Sequence, residues 1–269
     1  MTDDTGPGRL GLIGCGQLGG AIAGALLRAG TVPPERLIVC NRSGPTGALA
    51  GIAGVEWTTD PQEAAGRCGT LLLALPPQAG RALRLRAERC LVVSVMAGIP
   101  REQLRALTGT ERLARAMSNP AAEIGMAYSP FYAPGLSAAD IATVRALFGA
   151  CGLTDELPEE SQIDVFTAIT GPVPGFVAYF AACVQDYAQA QGIAPEVARR
   201  AVAQLFRAGG AMLADSAAPP ATFVREMLDY AGTTAAGLSA MEASPLRAAI
   251  AEGLEAARRR CLTIGTPEG

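Results

Sequence analysis

The sequence predicts an α/β protein in two parts: a parallel sheet covered by helices over residues 1–158, then an all-α region over 159–269. Three observations predict it. Short continuous apolar runs alternate with helical segments in the first part. A glycine-rich turn joins the first run to the first helix. From about Glu159 only helical periodicity remains. Strands that are apolar throughout belong to a sheet buried on both faces, which requires parallel crossovers.

The first strand is Leu10 to Ile13, and the small-residue helix from Ala21 to Leu27 stops at Gly30. Leu37 to Cys40 and a short Val55 to Thr58 are the next strands. The helix after them has Asp60 at its N-cap, Pro61 at N1 and Glu63 at N3, a near capping box. Thr70 to Leu75 is a strand halted by Pro76-Pro77. Leu91 to Val95 is another, ending at Met96-Ala97-Gly98-Ile99-Pro100. Arg112 to Met117 runs into Ser118-Asn119-Pro120, and Ala138 to Phe148 reads as a helix. In the second part, Phe176 to Gln191 carries apolar residues at 176, 180, 183, 184, 187 and 188, broadened by Val177 and Tyr179. A helix from Pro195 repeats at Val197, Ala201, Leu205, Ala208 and Met212. The last repeats at Leu246, Ile250, Leu254, Ala257 and Cys261. Helices this apolar cannot cover their own faces, so 159–269 is expected to be a dimerisation domain and the protein a homodimer or higher homo-oligomer.

Composition removes several function classes. The chain is 49% hydrophobic with a net charge of −3, so bulk charge points to neither nucleic acid nor a membrane surface as partner. Its polar start, residues 1–8, is too short for a signal peptide, and no apolar run reaches spanning length. The seven cysteines are scattered without a CxxC pair, which suits reduced thiols in the cytoplasm. There is no histidine, and all 22 basic residues are arginine. That excludes Ser-His-Asp chemistry, lysine Schiff bases, P-loops and His-containing zinc sites, and no metal is expected. Proton transfer is left to Asp, Glu, Cys, Tyr, hydroxyls or the substrate.

Between the first strand and helix stands Gly14-Cys15-Gly16-Gln17-Leu18-Gly19. In that setting GxGxxG is a dinucleotide fingerprint: Gly14 permits the turn, Gly16 admits a pyrophosphate, and Gly19 lets helix and strand approach. The N–H groups that open the helix, from Gln17 and Leu18 onward, face the phosphates. The second strand ends in Asn41-Arg42-Ser43, where an NAD site would carry an acid for the ribose hydroxyls. An amide, a guanidinium and a hydroxyl suit a 2′-phosphate instead, so NADP(H) is the expected cofactor. Ala74-Leu75-Pro76 and Ala97-Gly98, at the ends of later strands, are expected to line the same crevice. The first part is thus a Rossmann-type domain.

Over Arg9 to about Ile264 the chain resembles the pyrroline-5-carboxylate reductase family. The resemblance rests on Gly-Leu-Ile-Gly-Cys-Gly-Gln-Leu-Gly at 11–19, Ser-Val-Met-Ala-Gly-Ile at 94–99 and Arg-Ala-Met-Ser-Asn at 115–119. It continues in Asp-Val-Phe-Thr-Ala-Ile-Thr-Gly at 164–171 and Gly-Thr-Thr-Ala-Ala-Gly-Leu at 232–238. It implies a Rossmann domain, an interlocking helical domain, NAD(P)H, and a cyclic imino acid as substrate. A cyclic imine can be protonated near neutral pH before hydride arrives, so orientation matters more than acid catalysis. On the family pattern Thr234 places its hydroxyl at the imine nitrogen. The N–H groups of Gly232, Thr233 and Thr234 cradle the substrate carboxylate, and Glu160 is a further substrate contact.

The departures fall where substrate specificity should lie. The family's Ser-Pro-Gly-Gly-Thr-Thr is Asp229-Tyr230-Ala231-Gly232-Thr233-Thr234 here, and Ser-Gly-Ser-Gly-Pro-Ala-Tyr is Thr170-Gly171-Pro172-Val173-Pro174-Gly175-Phe176. Val-Lys-Pro becomes Leu75-Pro76-Pro77, and Met-Pro-Asn-Thr becomes Met117-Ser118-Asn119-Pro120. Asp229 stands beside the expected carboxylate pocket, where two like charges about 4 Å apart would repel by roughly 4 kcal/mol at an effective dielectric near 20. Either Asp229 turns away, onto Arg225 one helical turn earlier, or the substrate lacks a carboxylate there. Pyrroline-5-carboxylate and a modified relative from specialised metabolism both fit. So do reduction of a ketone, aldehyde or deazaflavin on the same architecture, and a non-catalytic NADP-binding dimer. Relatives of 3-hydroxyacid and 6-phosphogluconate dehydrogenases do not, because their catalytic lysine has no counterpart.

Overall fold

The computed structural model describes residues 8–172 and 174–264. The polar start (residues 1–7) and Val173 of the altered 170–176 segment lie outside the described residues. Contacts divide the chain into one compact unit of residues up to 173 together with 256–269, and a second of 174–255.

In the first unit, β1 (Leu10–Ile13) leads through the glycine turn into α1 (Gln17–Arg28), followed by β2 (Leu37–Cys40) and β3 (Glu56–Thr58). Next come α2 (Pro61–Arg67), β4 (Thr70–Leu73), α3 (Pro77–Ala82), β5 (Leu91–Ser94), α4 (Arg101–Thr108) and β6 (Leu113–Ala116). The short strands β7 (Ala127–Tyr128) and β8 (Phe131–Tyr132) precede α5 (Ala138–Gly149), β9 (Gly152–Leu153) and α6 (Ser161–Ile169). The main sheet has the order β3-β2-β1-β4-β5-β6-β8, parallel except for the β6–β8 pair. It is the doubly wound order with its switch point beside β1.

Apolar strand residues feed both faces. Leu10, Leu12, Val39, Leu72 and Val93 pack with α1 and α5 on one side. Ile13, Ile38, Leu71, Leu73 and Val92 pack with α2 and α4 on the other. Four expected strands are shorter: β3 starts at Glu56, β4 ends at Leu73, β5 ends at Ser94 and β6 spans Leu113–Ala116. Ala74 and Leu75 follow β4 and line a cleft, although the Ala74 N–H still donates to the Ile13 carbonyl at 2.9 Å. Asp60 does cap α2 by accepting from the Gln62 N–H, but no capping box closes: the Asp60 N–H goes to the Thr58 hydroxyl, which itself donates to Glu63.

The second unit is helical: α7 (Gly175–Ala190), α8 (Pro195–Ala214), α9 (Pro220–Asp229), α10 (Thr233–Glu242) and the first part of α11 (Leu246–Thr263). Phe180 of α7 and Phe206 of α8 meet edge to face at 5.6 Å. Yet α7, α9 and α10 contain no buried residue. Tyr179 is 76% and Met212 63% exposed, unlike an apolar core.

Candidate active site

A cleft of about 620 Å³ opens at the carboxyl ends of β1, β2 and β4. Gly14 and Gly16, the Asn41-Arg42-Ser43 turn, and Ala74-Leu75-Pro76 line it together. Gly14 has φ +100°, and a Cβ there would lie 2.7 Å from the Ala74 carbonyl oxygen. A Cβ on Gly19 would fall 2.2 Å from the Gly14 carbonyl oxygen, so α1 can begin this close to β1 only with glycine there. Gly16 faces open space, with nothing within 4 Å of a Cβ. Gly16 is also the N-cap of α1, and no side chain caps the helix and no acid stands in its first turn. The amides of Gln17, Leu18 and Gly19 thus belong to the open positive end of a twelve-residue helix. A dinucleotide pyrophosphate fits this cradle.

Asn41 has a second task. Its Nδ2 donates to the Gly44 carbonyl at 2.8 Å, closing the turn that presents Arg42 and Ser43. Arg42 has no ion-pair partner among the described residues, and no carboxylate lines the cleft. Thr46 and Thr59 add two hydroxyls to the lining that sequence reasoning missed, since neither belongs to a motif. Cys15 also lines the cleft, with its thiol raised above the ordinary range by burial. Ala97 and Gly98 follow β5 but are not part of this lining. Among the described residues no group of His, Cys, Asp or Glu could hold a metal ion.

Glu160, just before α6, is already engaged. Its Oε1 accepts from the Arg101 backbone N–H at 2.6 Å and from Arg115 Nη1 at 3.3 Å. Arg115, buried on β6, also donates to Asp164 at 2.5 Å. In the second unit, α9 ends at Asp229, Tyr230 follows, and Ala231 takes φ +52°. Gly232 is the N-cap of α10, so Thr233 and Thr234 occupy its first turn, again with no acid. Asp229 does not turn onto Arg225, which donates to Thr222 Oγ1 at 3.3 Å instead.

The sheet order and the open glycine cradle define a dinucleotide-binding protein. Residues 9–98 match the family model for NADP oxidoreductase, coenzyme F420-dependent, and residues 160–264 match that for pyrroline-5-carboxylate reductase dimerisation. A pyrroline-5-carboxylate reductase of Thermus thermophilus is 32% identical over 97% of this chain and 100% of its own length. One of Synechocystis is 30% identical over 96% and 98%. The crystal structure of Plasmodium falciparum pyrroline carboxylate reductase with NADP bound shares the fold, with a TM-score of 0.80 at 23% identity over 96% of this chain and 98% of that one. An imine reductase of Myxococcus stipitatus shares it more loosely, with a TM-score of 0.54 at 18% identity over 78% and 74%. The chain belongs to the pyrroline-5-carboxylate reductase family.

Proposed function

We propose that the protein is an NADPH-dependent reductase of the C=N bond of a cyclic imine, pyrroline-5-carboxylate or a modified relative, acting as a cytoplasmic homodimer. Residues 1–158 bind the cofactor; residues 159–269 provide dimerisation and the substrate segment. The observation that carries the reading is the acid-free cleft beside Arg42, over an uncapped helix, in a chain whose family reduces such bonds. NADPH supplies the hydride when bound. The glycine cradle with Gln17 and Leu18 holds its pyrophosphate, Arg42 and Ser43 hold the 2′-phosphate, and Ala74-Leu75-Pro76 with Ala97-Gly98 flank the rest.

Thr234 hydrogen-bonds the imine nitrogen through Oγ1 and fixes which face of the ring receives hydride. Gly232, Thr233 and Thr234 offer backbone N–H groups to the substrate. Asp229 disfavours a carboxylate beside them. Glu160 acts through Arg101 and Arg115, holding the start of α6 in place. The F420-related match covers only the cofactor half, so it does not favour a deazaflavin substrate over an imine.

Steady-state oxidation of NADPH and NADH with pyrroline-5-carboxylate and with carboxylate-free cyclic imines tests the reading. Turnover of at least one imine is expected, with NADPH preferred. Arg42→Ala should weaken NADPH about tenfold or more, the loss of a charge-assisted hydrogen bond, and leave NADH almost unchanged. A wild-type preference for NADH would sink the cofactor assignment, and no turnover of any imine would sink the reaction.

A further inference from the structure

The turn after β5, Met96 to Ile99, is gripped from two sides by groups the proposed chemistry does not use. From α3, Arg81 donates through Nη2 to the Gly98 carbonyl at 2.6 Å and to the Ile264 carbonyl at 3.1 Å, and through Nη1 to Gln103 Oε1 at 2.7 Å. These three acceptors are neutral, and its buried Nε has no partner among the described residues. Gly80 on the same helix has no room for a side chain: a Cβ would lie 2.6 Å from Met96 Sδ and 2.8 Å from Ile99 Cδ1.

From the end of α11 the approach is as close. Gly98 has φ +68°, and a Cβ there would lie 2.4 Å from the Cys261 carbonyl oxygen and 2.6 Å from Ile264 Cγ2. Cys261 is 3% exposed, and its thiol lies 3.5 Å from Asp164 Oδ1, the carboxylate paired with Arg115. A surface turn needs none of this. Two close approaches, one guanidinium shared between two carbonyls and a left-handed glycine fix one peptide in one orientation.

The turn follows β5, across the β1–β4 switch point from Arg42 at the end of β2, where the sheet order directs the half of a dinucleotide that Arg42 does not hold. We propose that Arg81 and the Cys261–Ile264 end of α11 form a clamp that fixes the Met96–Ile99 turn, making them positioning residues for the nicotinamide half of the cofactor. This rests on the NADPH reading above. The other half of the cofactor is held by the glycine cradle and Arg42, which the clamp does not touch. Loosening the clamp should therefore separate the two halves.

The test compares NADPH with adenosine 2′,5′-bisphosphate, which lacks the nicotinamide half, by calorimetry on wild type, Arg81→Ala, Arg81→Lys and Gly98→Ala, together with amide hydrogen exchange without ligand. Arg81→Ala is expected to bind the bisphosphate within about twofold of wild type and NADPH about tenfold more weakly. Its amides at 96–99 should exchange faster. Arg81→Lys should recover part of the loss, and Gly98→Ala should reproduce the split without removing any polar group. Equal weakening of both ligands, or unchanged NADPH affinity and unchanged exchange at 96–99, would overturn the clamp. A wild-type protein that binds neither ligand would overturn the NADPH reading instead, and exchange at 96–99 would then decide the clamp alone.

Discussion

Ala231 is the residue other than glycine that the backbone holds at positive φ, among the described residues. A Cβ in the left-handed region costs about 1–2 kcal/mol. Replacing it with glycine frees the unfolded chain, which costs about 0.4–1 kcal/mol in return. The strain term wins, so Ala231→Gly should raise stability by roughly 0.5–1 kcal/mol, read as a higher denaturation midpoint with unchanged slope. Three residues on, Thr234 carries the sharper consequence for activity. If its hydroxyl meets the imine nitrogen in the transition state, Thr234→Ala should lower kcat/KM by about one to two powers of ten with NADPH affinity unchanged. Full activity in that variant would reduce the hydroxyl to a helix-terminal ornament.

At the scale of elements, the β6–α5 contact makes a pH prediction. Arg112 on the approach to β6 grips Asp140 in the first turn of α5, through Nη2–Oδ1 at 2.5 Å and Nε–Oδ2 at 3.1 Å. That hydrogen-bonded guanidinium holds the Asp140 carboxyl below its usual range. A depressed carboxylate contributes stability above its unfolded pKa of about 3.9 and loses it as pH falls towards the folded value. Asp140→Asn should therefore cost about 1 kcal/mol near neutral pH, a modest figure because Arg112 is half exposed, and progressively less below about pH 4. Urea titrations at several pH values check this, and a cost that grows on acidification would contradict it.

The same scale shows what sequence could reveal. The β1–α1 turn is legible because part of its constraint is local: Gly14 and Gly19 sit five residues apart, and the clash a Cβ on Gly19 would cause, with the Gly14 carbonyl, lies within the motif. Leu37–Cys40 is legible because four buried apolar residues in a row have one reading. β7, β8 and β9 have two residues each, too few for any period to show. α4 offers only Leu104 and Leu107 to the core as large apolar residues, which hides its amphipathic face. The partners of Glu160 were not legible, since they come from α4 and β6. The Arg81 contacts could not be foreseen at all, because Ile264 lies 183 residues away.

For the whole molecule, the helices of the second unit set the assembly. Phe176, Phe180 and Val177 are each nearly half exposed, and Tyr187 is 68% exposed. A patch of that kind marks a protein interface. Sedimentation at micromolar concentration is expected to give a dimer or larger even multiple, and a stable monomer would refute it. The division of α11 between the two compact units has a further consequence, for the order of events during synthesis. The ribosome releases residues up to 173 well before 256–264, yet the nucleotide-binding unit needs both. While α11 is still inside the exit tunnel that unit lacks the segment that packs Cys261 against Asp164. Chains tethered to the ribosome by a short C-terminal linker, which keeps α11 in the tunnel, and by a long one, which lets it out, should differ sharply in resistance to protease.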